Sequence, residues 1–411
     1  MLEARWPELW SRIGALGLPT SDPVVRREAS ARLAGVQLAS AYDRRGEASL
    51  QAARVPEGSA SAACYGVGLG DLPRALLARP ELRELLVVPL ASEVLRLALE
   101  LEDQRDWLAD PRVRLAAPEL PVRAPFAVAP AELQLAEDAA LPLRDALVAE
   151  LDRPFLEARW AARSGELEAQ IEANADLALA DGDVAELFGA RSGATIAIAA
   201  PGPTLSEAVG PLRRLAAGGG LVIAISTALQ PLARGGLVPD YVVMIDGLSI
   251  DPLTPAQRAT FGAVPLVYAA EVQRATLEAW PGPRFACALE RPRYAALQAR
   301  RPLGALWTEG TVAHSAVDLA VQLGAAEVQL FGLDFGYPGG ESHARQTPDW
   351  QPQRRSERGR TVLDGTGRRL ASDANLITYL RDLEAYVARH PSVRFRKSGR
   401  RGAALAGVSW L

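Results

Sequence analysis

The stretch TIAIAAPGPTLSEAV, Thr195 to Val209, decides how this 411-residue chain is read. Its first half is an apolar run of strand length, its middle a Gly/Pro turn, and its end the opening of a helix. That strand-turn-helix order holds a phosphate in many α/β proteins, because the first N–H groups of the helix point at an anion. Gly202 lets backbone approach a ligand closely, and Pro203 and Thr204 lead into the helix. Thr204-x-x-Glu207 is also a capping box, in which the two side chains close the helix end. The turn has two readings, a ligand cradle or a cap.

The same alternation repeats downstream. Strands are predicted at Thr195–Ala200, Leu221–Ile225, Tyr241–Ile245, Pro265–Ala269, Arg284–Ala288 and Glu327–Phe331, with helices in most gaps and a last long helix, Ala374–Arg389, capped by Ser372 and Asp373. Strands so uniformly apolar imply an α/β fold, a Rossmann-like, doubly wound parallel sheet covered on both faces. Such sheets bind ligands beyond the carboxyl ends of their strands. Ser226 and Thr227 reach that edge and either bind a nucleotide or cap the next helix. Asp246 ends PDYVVMID, where a carboxylate is costly unless paired, solvated or metal-bound. Thr308-Glu309-Gly310-Thr311 opens a helix and mirrors the first loop, with His314 in the first turn, facing the cleft or packing. Asp334 puts a second carboxylate on the edge. The polar segment from Gly336 to Arg369 has the length of a lid or acceptor loop, and His343 within it is the natural general-base candidate.

Residues 1–125 form a helical N-terminus, with helices at Trp6–Ile13 and Ala31–Leu38, followed by a small Rossmann-like unit. SAACYGVGLGDLPRALL, Ser61 to Leu77, is its strand, its Gly66-x-Gly68-x-Gly70 turn and its helix. The second strand ends in Val88-Pro89-Leu90, without the acid that takes ribose hydroxyls in a dinucleotide site, so the unit reads as degenerate and structural. Residues 126–189 are rich in Ala, Leu and Glu at helical spacing and read as a helical connector; residues 190–411 form the larger α/β domain.

Composition narrows the function. The chain is 49% hydrophobic and 23% charged with a net charge of −4, and its basic residues are arginines apart from Lys397. No nucleic-acid partner is expected, and without a G-x-x-x-x-G-K-[ST] loop a P-loop kinase is not expected either. Cys64 and Cys287 lack metal spacing and are expected to be buried. With no signal-like segment and no long apolar run, the protein is expected in the cytoplasm, without a membrane span.

AAPGPTLSEAV, STALQPLARGGLVPDYVVMID, GTVAHSAVDLAVQLGAAEVQLFGLDFGY, SDANLITYLRDLEAYV and GRRGAALAGV resemble, in that order, the central domain of the Maf (motility-associated factor) family. That domain is similar to archaeal 6-hydroxymethylpterin diphosphokinases and more distantly to bacterial sialyltransferases, and CYGVGLGDLPRALL resembles the smaller Rossmann-like domain that precedes it in Maf proteins. The resemblance implies a transferase that moves a nonulosonic acid, pseudaminic or legionaminic in type, from a CMP-sugar donor to Ser/Thr of flagellin or a similar protein. It places Gly202, Pro203 and Thr204 at the nucleotide phosphate, with Asp246, Gly310, Thr311 and Asp334 lining the same cleft. It requires no cofactor and leaves the acceptor base unassigned, since no histidine lies between His343 and His390. The alternatives are a diphosphokinase using ATP on a pterin-like alcohol, with Asp246 and Asp334 holding Mg²⁺, and a non-catalytic nucleotide-binding relative.

Overall fold

The computed structural model describes residues 2–17, 19–25, 27–247, 253–345, 347, 350–354, 356 and 360–411. The chain divides into two compact units, Met1–Val148 and Ala149–Leu411.

The first unit contains a four-stranded parallel sheet of β1 (Ser61–Tyr65), β2 (Glu84–Val88), β3 (Val113–Leu115) and β4 (Phe126–Val128), in the order β3-β2-β1-β4. Helix α1 (Asp71–Leu77) follows the glycine turn, α2 (Ser92–Leu101) follows β2, and the short α3 (Pro130–Leu135) follows β4. The sequence predicted a helix over Ala31–Leu38, but the chain there is extended. Strands Ser21–Val25, Ala29–Leu33 and Val36–Gln37 form a small antiparallel sheet. Ala34 and Gly35 turn at φ of 48° and 80°, the mirror-image turn that suits a two-residue hairpin.

Helix α4 (Leu141–Ala161) spans the boundary between the units, and α5 (Ser164–Ala173) opens the second. The segment expected as a connector thus supplies a strand to the first sheet and helices to both units. The large parallel sheet contains β5 (Thr195–Ala199), β6 (Leu221–Ile225), β7 (Tyr241–Met244), β8 (Leu266–Ala269), β9 (Arg284–Leu289), β10 (Ala305–Leu306), β11 (Glu327–Phe331), β12 (Arg394–Lys397) and β13 (Ser409–Trp410). Their order is β10-β9-β8-β7-β6-β5-β11-β12-β13, and Gly182–Asp183 adds a short strand beside β9. Every residue of β7 and β8 is buried, as a sheet covered on both faces demands. Helix α6 (Leu205–Ala217) packs on β5 and β6, and α7 (Val312–Gln322) packs on β5, β6 and β7. Helix α8 (Ala374–Arg389) is the predicted last helix. Asp373 precedes it without a side-chain bond to its N–H groups, and Ser372 instead donates to Phe335 O, so neither caps it as expected. No described helix is long and apolar enough to cross a membrane.

Candidate active site beyond the carboxyl ends of the strands

The chain winds outward from β5 to β10 and then returns to β11 on the other side of β5. The switch point of the sheet therefore lies between the β5 and β11 turns, where a ligand is expected. In this protein that crevice is filled from within. Gly202 N–H donates to Gly332 O at 2.9 Å, and a Cβ on Gly202 would stand 2.2 Å from that oxygen, so the glycine serves the approach of two protein segments. Asp334 occupies the start of α6, accepting from Thr204 N–H at 2.8 Å and from Thr204 Oγ1 at 2.6 Å. Thr204 is buried and makes no capping bond within the helix. Glu207 pairs with Arg401. The capping box spelled by the sequence is absent, and a carboxylate from β11 takes the place of both cap and phosphate.

Lys397 lies 4.0 Å from Asp334 Oδ1, and both side chains are 1% exposed. Burial pushes the Asp334 carboxyl up and the Lys397 ammonium down, each partly offset by the other's charge.

The open site lies to one side. A cavity of about 510 Å³ is lined from β7 by Asp246 and Gly247, from β8 by Glu271, from β9 by Arg291 and Arg293, from the loop before α7 by Thr308–Val312, from α8 by Thr378, Tyr379 and Asp382, and from α4 and α5 by Arg153, Arg163 and Leu167. Its volume is within the range of small-molecule sites. Of the sequence-predicted residues it unites Asp246, which is exposed, with Gly310 and Thr311.

Polar groups buried along α7 shape the loop before it. Asp318 accepts from Trp307 N–H at 2.9 Å, and Ser315 Oγ donates to Trp307 O. Thr308 Oγ1 donates to Thr311 O and accepts from Gly310 N–H. His314 is fully buried and stacks on Trp307 at 4.4 Å. Its Nδ1 accepts from Glu309 N–H at 3.1 Å, and its Nε2 lies 2.9 Å from Tyr379 O. These partners require a neutral ring with the proton on Nε2. Burial pushes its pKa down to about 4, so His314 ties the loop to α8 and does not line the cavity.

The cavity pairs cations with carboxylates. Arg293 donates to Glu271 at 2.6 Å, and Arg291 donates to Thr308 O at 2.8 Å and to Glu309 at 3.1 Å. Arg153 bridges Glu150 and Asp382, meeting Asp382 Oδ1 at 3.3 Å. Burial raises the Asp382 carboxyl to about 6; Arg153 opposes the rise while Glu309 and Glu150 add to it. Neither Asp382 nor the four arginines were singled out from the sequence. The available signal was spacing: Thr378, Tyr379 and Asp382 fall at i, i+1 and i+4 of α8, on one helix face.

Other candidates lie elsewhere. Ser226 is buried in a 3₁₀ turn after β6, and neither it nor Thr227 lines the cavity. His343 interacts with Ser342, and its neighbours Ala344 and Arg345 bond to Pro201 O and Ser206 Oγ, so it sits by the filled switch-point turn. Gly202, Pro203, Thr204 and Asp334 are likewise outside the cavity lining. Asp246 and Asp334 end strands three positions apart in the sheet, about 14 Å at the usual strand spacing, too far to share one Mg²⁺. Among the described residues no three His, Cys, Asp or Glu side chains cluster as metal ligands.

The first unit's glycine turn is also filled. Gly66, Gly68 and Gly70 all have positive φ, and the buried Glu132 accepts from Val67 and Gly68 N–H through one oxygen and from Leu90 and Ala91 N–H through the other, at 2.5–3.2 Å. A carboxylate of α3 thus stands where a cofactor phosphate would.

Fold and site define a Rossmann-like α/β protein with an open cavity at the carboxyl edge of a doubly wound sheet. Residues 170–340 match the family described as 6-hydroxymethylpterin diphosphokinase MptE-like. Among solved structures, the chain is similar to a Maf glycosyltransferase from Magnetospirillum magneticum AMB-1, at 15% identity and a TM-score of 0.43, over 100% of this chain and 73% of that one. No curated protein matches the chain.

Proposed function

We propose that the protein is a glycosyltransferase that takes an acidic sugar of the nonulosonic type from its CMP-activated form and passes it to a Ser or Thr hydroxyl of flagellin or a similar protein, in the cytoplasm. The observation that carries this reading is the cavity wall, where Arg153, Arg163, Arg291 and Arg293 stand among Asp246, Glu271, Glu309 and Asp382 beside the N-terminus of α7. A CMP-nonulosonate carries a phosphodiester, a carboxylate and many hydroxyls. Arginines bind the two anions bidentately, carboxylates accept from the hydroxyls, and the dipole of an eleven-residue helix favours the phosphate at Gly310 and Thr311. The departing CMP carries its negative charge on the phosphate, and the same groups stabilise it as the glycosidic bond breaks.

The MptE-like match supports a second reading, diphosphoryl transfer from ATP to a pterin-like alcohol. Thermal shift separates the two. CMP or CTP is expected to raise the melting temperature without metal, and stabilisation by ATP with Mg²⁺ alone would overturn the transferase reading.

A further inference from the structure

We infer that Asp382, on the α8 wall of the cavity, is the proton acceptor for the attacking hydroxyl; this rests on the transferase reading above. The other titratable groups of the site are committed elsewhere. His314 has both ring nitrogens engaged with backbone and cannot take a proton without losing the Glu309 N–H. Glu271 is bound to Arg293, and Glu309 to Arg291. Asp246 is exposed to bulk water, whereas Asp382 is enclosed by the wall.

Asp382 differs in having a half-finished set of partners. Its Oδ1 meets Arg153, but its Oδ2 is out of contact with water and has no hydrogen-bond partner among the described residues. A carboxylate oxygen in that state is costly. Asp382 lines the cavity, and the cost is relieved by a proton or by a donor brought in by substrate. The groups that face it are Arg153 and Glu150 on α4 and Glu309, itself paired to Arg291, before α7; Arg381 on its own helix turns to Glu384. Burial raises this carboxyl to about 6, with Arg153 opposing the rise and Glu309 and Glu150 adding to it, and a base poised near neutral pH works best.

The step balances without a co-reactant. The hydroxyl oxygen of the acceptor bonds to the anomeric carbon, its proton passes to Asp382, and the bond from that carbon to the phosphate oxygen breaks with its electron pair going to CMP. Water attacks in the same way when no acceptor is present.

The test compares wild type, Asp382→Asn and Asp382→Glu for CMP release from a CMP-activated nonulosonic acid across pH 4.5–8.5, with CMP binding measured by calorimetry and folding by circular dichroism. Wild type is expected to lose activity as pH falls through about 6. Asp382→Asn is expected to bind CMP within about threefold of wild type yet release it about 100-fold or more slowly, with no acid limb near 6. Asp382→Glu restores part of the rate together with a limb. A folded Asp382→Asn with an unchanged rate and limb overturns the inference alone. Absence of CMP binding and release in wild type overturns the transferase reading, and the inference with it.

Discussion

Two glycine-bearing turns, one in each unit, have the shape that holds a phosphate, and each holds a carboxylate of its own chain instead. In the first unit Glu132 accepts four backbone N–H bonds and has no cation partner among the described residues. In the second, Asp334 accepts from one N–H and one hydroxyl, and the chain's only lysine stands 4.0 Å away. Four aligned dipoles can satisfy a buried carboxylate alone; two donors do so only with a charge nearby. The open cavity at β7–β9 has neither plug, since Glu309, Glu271 and Asp382 are held to its walls by arginines. A strand-turn-helix with glycine is thus a site for an anion, and which anion depends on what distant segments deliver to it.

The largest effect is expected from emptying the first turn. Glu132→Ala strands four buried N–H groups and should cost the first unit about 4 kcal/mol, read by urea unfolding and by faster hydrogen exchange at Val67, Gly68, Leu90 and Ala91. A loss under about 1 kcal/mol would show that the plug is not what holds the turn. Asp334→Asn comes next, at about 3 kcal/mol, because it leaves Lys397 buried beside a neutral group. Its pH dependence has a definite sign. Burial already lowers the Lys397 pKa, and loss of Asp334 lowers it further, so between the folded and unfolded pKa values the unfolded chain binds more protons than the folded one and stability rises with pH. The deficit of Asp334→Asn should narrow from pH 7 to 9.5 in denaturation curves; a deficit that widens would contradict this pairing.

The sequence spoke clearly where structure is repetitive and faintly where it depends on distance. Strands β6 and β11 and helix α8 fall where their apolar patterns predict, since a sheet covered on both faces admits only apolar runs. Strands β10, β12 and β13, toward the two ends of the sheet, went unread because two to four residues, charged in RFRK, leave no pattern. Asp246, Gly310 and Thr311 were legible at the cavity because a residue just past a strand can lie only at that edge. Glu132 was not, since it reaches Gly68 from 64 residues away, and Asp382 was not, since a carboxylate at a helical position reads as surface until α4 covers it.

In the open cavity, Arg291→Ala should lower CMP affinity about tenfold, roughly 1.4 kcal/mol, by calorimetry, with the melting temperature little changed because Arg291 is about one-third exposed. An unchanged affinity would move the phosphate away from the Thr308–Thr311 loop.

The smallest effect decides the fate of the capping box. Were Glu207 the N3 partner of Thr204, Glu207→Ala would cost about 1 kcal/mol at any salt concentration. In the structure Glu207 pairs with Arg401, and both side chains are more than half exposed. Such a pair is worth about 0.5 kcal/mol or less and fades as salt screens it. Denaturation of Glu207→Ala at 0.05 M and 1 M salt should therefore show a small loss that disappears at the higher concentration. A loss that persists would return the start of α6 to a local cap and leave Asp334 a lesser part in closing that turn.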